Sequence, residues 1–320
     1  MRRRDFLVLP LLSSFAGTAA RAAPAPPVNV VASFSILADL VAKVAGPAAR
    51  VSALVGPDGD AHVYEPSPAD ARRVREAALV VVNGLGFEGW MPRLIRASGY
   101  RGPVVTATEG IAARPGGRHP DPHAWQDPAL VKAYVNNVLA GLTRAVPALA
   151  ATFRASAAAF VDELDALDAD LRARFARVPA SRRRVITTHD AFAYFGAAYG
   201  VEFLTLQGWT TENEPSAADV ARLVRVARTG GASAAFVENI ADPRLVRTLA
   251  ADTGLRFGGR LYSDALAPPG HPASTYLGMM RHNAETLLAA LVDRVQPARS
   301  DADAPAAAVP PSTAAQENPG

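Results

Sequence analysis

The chain contains no cysteine. That excludes disulfide bonds, thiolate metal ligands and a lipid-modified N-terminal cysteine. Aromatic residues are sparse, at 7% of 320 positions, and only six histidines are present. Any transition-metal chemistry must therefore rest on a few imidazoles and carboxylates. Beyond residue 22 no run of about 20 apolar residues occurs, so the sequence reads without a membrane span. The phosphate-cradling pattern G-x-x-x-x-G-K-[ST] is missing, and so is the His-Glu-x-x-His pattern of many zinc hydrolases. Excess charge is missing too. The net charge is +3, and residues 1–22 supply all of it through Arg2, Arg3, Arg4 and Arg21 against Asp5. The remainder is near neutral, with no basic stripe to bind nucleic acid.

What is present begins with an export leader. A basic head precedes a modest apolar stretch to Ala20, and Ala20-Arg21-Ala22 offers an A-x-A cleavage site. The run Arg3-Arg4-Asp5-Phe6-Leu7 also resembles a twin-arginine signal. Residues 1–22 are thus expected to be a signal peptide and the mature chain a periplasmic protein without a lipid anchor. Residues 297–320, rich in Ala, Pro, Ser and Asp, read as a disordered tail. Between them the composition is ordinary for a globular protein, with 49% apolar and 20% charged residues, and the length suits two domains.

Strands and helices alternate. Short apolar runs at 28–33, 51–55, 79–82 and 104–108 read as strands, and so do 184–188, 201–206, 234–237 and 257–262. Helical patterns lie at 36–44, after Ser67-Pro68, after Asp127-Pro128, and near 190–199, 216–229, 242–252 and 274–293. Ser67 and Pro68 suit a helix cap and first helical position. Such alternation implies an α/β fold with parallel sheets. The segment 148–177 differs. It lacks glycine and internal proline, and Phe160, Leu164, Leu167, Leu171 and Phe175 recur at helical steps. It reads as one long helix joining the halves. The expected divisions are an N-terminal lobe at 23–146, a linking helix at 147–179 and a C-terminal lobe at 180–296.

Four residues stand in loops that follow strands. His62 lies in Gly59-Asp60-Ala61-His62-Val63-Tyr64-Glu65-Pro66, and His123 in Asp121-Pro122-His123-Ala124-Trp125. His189 lies in Thr187-Thr188-His189-Asp190, and Asp264 in Tyr262-Ser263-Asp264. Open parallel sheets bind ligands outside the carboxyl ends of their strands. Two of these residues come from each half, so a shared site would fall in the cleft between lobes. Three imidazoles and a carboxylate can complete a zinc tetrahedron. Singly, each has a bland reading: a loop histidine is commonly just hydrogen-bonded or exposed, and Ser263-Asp264 equally suits a helix cap.

Those phrases carry a resemblance. Gly59 to Asp70, Asp121 to Pro128, Thr188 to Phe195, Thr211 to Asp219 and Tyr262 to Asn283 are similar, in order, to motifs of the zinc/manganese solute-binding proteins of bacterial ABC importers, solute-binding protein family 9. The resemblance spans nearly the whole mature chain. It implies two Rossmann-like lobes joined by one long helix, with a metal site in the inter-lobe cleft. It maps the family's metal ligands onto His62, His123, His189 and Asp264. It implies a monomer that captures Zn²⁺ and delivers it to a membrane permease. Family members that prefer manganese often carry glutamate at the third ligand, so His189 tips the expectation to zinc, with Mn²⁺ as the alternative cargo. The histidine-rich insertion of some zinc members is absent, since 113–120 holds only His119.

A binding protein is expected, not an enzyme. A zinc hydrolase would need an open position for water and a nearby base. No two of the four groups share a helix, and four protein ligands would leave no open position. The absent anchor also argues against an adhesin. Among the neighbours, Asp121 and Asp190 read equally as turn formers or as partners of the ligating histidines. Glu65 reads as structural, Trp125 as cleft packing, and His119, His271 and His282 as solvated or structural. Glu212 and Glu214 suit the start of a helix. Proton competition for the histidines is expected around pH 6.5.

Overall fold

The computed structural model describes residues 27–116 and 119–292. The expected leader with its twin-arginine motif, the tail at 297–320 and the last residues of the C-terminal lobe lie outside them.

The first half is built on a parallel sheet. Strand β1 (Val28–Phe34) lies between β2 (Ala49–Val55) and β3 (Leu79–Val82), and β4 (Val104–Thr106) pairs beyond β3. Val30 stands beside both Val51 and Leu79. A central strand needs apolar side chains on both faces, and Val30, Val31, Ala32 and Phe34 are all buried. Helix α1 (Ser35–Ala45) follows directly and ends at Gly46, whose φ of 58° disfavours any side chain. Helix α2 (Pro68–Arg75) starts as its sequence foretells. Ser67 caps it, and Asp70 returns the bond to the Ser67 amide at 2.7 Å. Helix α3 (Met91–Ser98) is an addition to the sequence reading; two turns are too short to show a clear period. A two-residue hairpin, β5 (Pro115–Gly116) with β6 (His119–Pro120), leads toward His123. Helix α4 (Pro128–Ala145) is capped by Asp127.

Helix α5 (Ala150–Ala176) is the linking helix, 27 residues or about 40 Å long. One stripe of it, Phe153, Ala157, Phe160, Leu164, Leu167, Leu171 and Phe175, is buried. The other flank is tied by ion pairs, Lys43 to Glu163 at 3.0 Å and Lys132 to Asp165 at 2.6 Å.

The second half repeats the first. Strand β7 (Arg184–Thr187) lies between β8 (Glu202–Thr205) and β9 (Ala234–Glu238), with β10 (Phe257–Leu261) beyond β9. Both sheets thus share the order second, first, third, fourth. Helices α6 (Ala193–Tyr199), α7 (Ala217–Arg228), α8 (Arg244–Thr253) and α9 (Tyr276–Val292) complete it. Helix α6 starts three residues later than its sequence suggests. The amides of Thr188 and His189 donate to the Glu238 carboxylate at 2.9 Å, and that of Asp190 to the Gly208 carbonyl at 3.0 Å. Those bonds hold 188–190 in a turn.

One apolar core runs from the first sheet through α1, α4 and α5 into α6, β7 and α9. A smaller core lies under α7 and α8, around Ile186, Leu223, Val237 and Leu249.

Candidate metal centre

In both sheets the chain reverses its direction of winding at the first strand, so a crevice opens at the carboxyl ends of the first and third strands. Each crevice holds a buried glutamate. In the first lobe Glu88 Oε1 accepts from the Ser33 hydroxyl at 2.5 Å and the Asn83 amide at 2.6 Å. In the second lobe Glu238 accepts the amides of Thr188 and His189. Each glutamate therefore ties the ends of two neighbouring strands. Loops of both lobes meet over these ends.

His62, His123, His189 and Asp264 converge there, and one donor atom from each lies within 4.8 Å of the others. His62 is 7% exposed and the other three are 0% exposed. Asp264 Oδ2 stands 3.2 Å from His62 Nε2 and 3.1 Å from His189 Nε2, while Oδ1 stands 3.6 Å from His123 Nε2. Ligands around a four-coordinate zinc, at bonds of roughly 2.0–2.2 Å, are separated by about 3.3–3.6 Å. The spacings are close to that range. His62 Nε2, His123 Nε2 and Asp264 Oδ1 are buried without a hydrogen-bond partner. Buried polar atoms seldom go unpaired, and these three face one another, which makes them candidate ligand atoms.

Carboxylates aim two of the rings. Asp121 Oδ1 accepts from His123 Nδ1 at 2.7 Å and from its amide at 2.9 Å. Glu238 Oε2 lies 2.5 Å from His189 Nδ1. An ionised carboxylate can only accept, so Nδ1 carries a proton and Nε2 is the nitrogen that faces the centre, free to bind a metal once its own proton has left. Asp121 therefore serves as both turn former and ring partner. Glu238 escaped the sequence reading; its signal is a lone charge at the end of a wholly buried strand, Ala234-Ala235-Phe236-Val237-Glu238. Around the centre, Phe87 packs edge-to-face with His62 at 4.7 Å between centroids and Trp125 with His123 at 5.1 Å. Trp125 Nε1 donates to the Ser263 carbonyl at 2.9 Å, fixing the residue before Asp264.

Burial opposes charge on every group, yet the carboxylates prevail at two histidines. Despite burial, Asp264 and Asp121 hold His123 up at about 9. Against the same burial, Glu238 and Asp264 raise His189 well above the usual range. Asp264 is buried, and His123 and His189 bring it well below the usual carboxylate range. His62 is lowered, by burial first and by repulsion from His123 and His189, with Asp264 only partly compensating. The expectation of titration around pH 6.5 is thus corrected upward at His123 and His189 by their buried carboxylate partners and downward at His62 by burial.

Other neighbours sort plainly. Glu65 is exposed, and Ser67 and Asp70 do the capping. Tyr64 donates to Asp70 Oδ2 at 2.9 Å and anchors the end of the His62 loop. His119 lies in the exposed hairpin. His271 and His282 pack with Tyr262 away from the centre, all three ring separations lying between 5.3 and 5.4 Å.

No helix among the described residues is long and apolar enough to cross a membrane. Residues 30–290 match the family described as zinc-uptake complex component A, periplasmic. The zinc-binding protein TroA of Treponema pallidum is 33% identical over 297 residues, 89% of this chain and 96% of that protein. The manganese-binding lipoprotein MntA of Bacillus subtilis is 33% identical over 273 residues, 82% of this chain and 89% of that one. The solved structure of the Treponema pallidum protein superposes with a TM-score of 0.80 at 32% identity, covering 83% of this chain and 99% of that one. Further relatives, from Streptococcus cristatus and Streptococcus sanguinis, are named as substrate-binding lipoproteins of metal ABC transporters. The chain therefore belongs to the family of periplasmic zinc-uptake component A and is the solute-binding protein of a metal ABC importer.

Proposed function

We propose that His62, His123, His189 and Asp264 hold the transported ion, that the ion is Zn²⁺, and that the mature protein carries it through the periplasm to a membrane permease. The convergence of three imidazole nitrogens and one carboxylate in a buried cleft carries this reading. Three nitrogen donors and one oxygen suit zinc, whereas manganese favours more oxygen and more ligands. Four protein donors fill a tetrahedron and leave no open position for a reactive water, which suits carriage.

Manganese is the second reading. Asp264 Oδ1 has no hydrogen-bond partner, so this carboxylate could bind through both oxygens and raise the coordination number. Several relatives are named as manganese binders.

Metal analysis of the protein purified from its native periplasm decides between them. Zinc at one ion per chain, lost in His189→Ala, is expected. Manganese in the native protein would overturn the zinc assignment, and full metal content in His189→Ala would overturn the ligand set. X-ray absorption of the zinc form should show three nitrogen donors and one oxygen donor, with no exchangeable water.

A further inference from the structure

The four groups of the centre are not held alike. His123 and His189 are fully buried, and each ring is fixed through Nδ1 by a carboxylate. Asp264 is fully buried between them. His62 is buried too, with 7% of the residue and 2% of its side chain exposed, but among the described residues no side chain is hydrogen-bonded to its Nδ1. Its polar anchor is in the backbone: the His62 amide donates to Asp60 Oδ1 at 2.9 Å. Its ring is flanked by Phe87 and, at 6.0 Å between centroids, by Trp209.

Asp60 has a second duty. Its Oδ2 accepts from the Thr211 hydroxyl at 2.6 Å. One carboxylate thus joins the His62 loop to a strap of the other lobe, residues 206–216 between β8 and α7. The strap carries both Thr211 and Trp209. At its start the Gln207 amide donates to the Thr188 carbonyl at 2.9 Å, and the Gly208 carbonyl accepts from Asp190. Beyond Gly208, its hydrogen bond to the first lobe is the one to Asp60, beside the ring contacts of Trp209 with His62 and His119. A cavity of about 860 Å³ lies on one side, against Gly86, His119 and Trp209. Another of about 470 Å³ lies on the other side, against Asp60, Thr188 and Thr211. The strap has room to move on both faces.

We propose that His62 is the ligand through which the metal enters and leaves, and that the Asp60–Thr211 hydrogen bond is the latch that keeps it in place. The proposal rests on the metal-carrying reading above. When the latch breaks, the strap lifts and Trp209 withdraws from His62, while the start of the loop stays tied to the opposite lobe through Asp58, whose amide donates to the Leu266 carbonyl at 3.0 Å and whose Oδ1 accepts from Asn239 Nδ2 at 2.9 Å. His123, His189 and Asp264 stay fixed and hold the ion by three ligands until a recipient takes it. Asp60 and Thr211 are positioning residues: they act on the metal only through His62.

The test is the rate of zinc release from the loaded full chain into excess chromogenic chelator, followed by stopped-flow. Thr211→Val and Thr211→Ala remove the hydroxyl and should release zinc about tenfold faster, the scale of one hydrogen bond to a charged group. Thr211→Ser keeps the hydroxyl and should restore the slow rate. Stoichiometry should stay at one ion per chain, and the metal-free melting temperature should not change. Wild-type release rates in both Thr211→Val and Thr211→Ala would overturn the latch. Acceleration matched by a fall in metal-free melting temperature would overturn it too, since general loosening would then suffice. Failure of the wild-type chain to retain zinc, or full retention by His123→Ala, would instead defeat the metal-carrying reading.

Discussion

Loading the centre should expel two protons for each divalent ion. At pH 7.5 a histidine held at about 9, as His123 is, is about 97% protonated. His189 is raised well above the usual range by Glu238 and Asp264 against the cost of burial, and is protonated too. His62 is pushed down and is neutral, and Asp264 is ionised. In both charged rings Nδ1 keeps its proton, which faces a carboxylate, so the metal displaces the proton on Nε2. Two positive charges leave and two arrive. The buried cleft therefore keeps its charge, which matters because uncompensated charge there would be costly. Three ordinary histidines would behave differently: at pH 7.5 they would carry about 0.3 protons in all. Titration calorimetry in buffers of different ionisation enthalpy counts the protons directly. About two per zinc is expected, and about one in His123→Ala. Correspondingly, the apparent association constant should rise about a hundredfold per pH unit between pH 6.5 and 8. Release of less than one proton at pH 7.5 would refute the charge assignment.

The same groups set the response to heat. His123 is raised when folded, so its stabilisation is complete below about pH 6.5 and lost as pH climbs to about 9, worth on the order of 3 kcal/mol. Asp264 is depressed, so its share is present above about pH 4 and lost on further acidification. Differential scanning calorimetry should thus find the metal-free melting temperature falling from pH 6.5 to 9, and zinc should raise it more at pH 8.5 than at pH 6. Glu238→Gln can still accept the Thr188 and His189 amides but no longer neutralises His189; competition with a chelator should show zinc affinity reduced about 10–100-fold, with one proton fewer released. Leu171→Ala should cost about 3 kcal/mol in urea denaturation, because Leu171 is fully buried on α5, and both sheets should unfold in one transition because the core is shared.

Much of this was legible in the chain, and the reasons are local. Strands such as 79–82 are short β-branched runs between loops, and α5 announces itself by an unbroken period from Phe153 to Phe175. Ser67 and Asp70, three positions apart, write the start of α2. The four candidate ligands were found because each follows a strand, and strand ends are shared by neighbours in a parallel sheet. Glu238 and Glu88 were not found, since what makes them matter is the pairing of β7 with β9 and of β1 with β3. The bond from Thr211 to Asp60 spans 151 positions, and although each residue stands in a singled-out phrase, nothing local pairs them. The elevated histidines were missed for the same reason: a titration depends on partners that only folding brings near.

The joining of the lobes limits how a metal can be released. Helix α5 buries its stripe in a core common to both sheets, so a wide hinge opening would expose that stripe. Polar ties cross the cleft as well. The Leu266 amide donates to the Ser35 hydroxyl at 2.9 Å, and the Tyr276 amide to Asp39 Oδ2 at 2.8 Å. Tyr194 donates to the Asp121 carbonyl at 3.0 Å and accepts from the Arg114 amide at 2.9 Å. Several of these bonds hold the loops of His123 and Asp264, and breaking them would disturb the fixed side of the centre. None holds the strap that carries Trp209 and Thr211. Lifting the strap from His62 breaks the Asp60–Thr211 hydrogen bond and the Trp209 ring contact and leaves the bonds of Asp58 and Ala61 in place, while release by hinge opening costs core burial as well. Local movement is therefore the lower route. Solution scattering of metal-free and zinc-bound protein should then differ little, while amide exchange should slow on zinc binding in the strap and in the loop around His62.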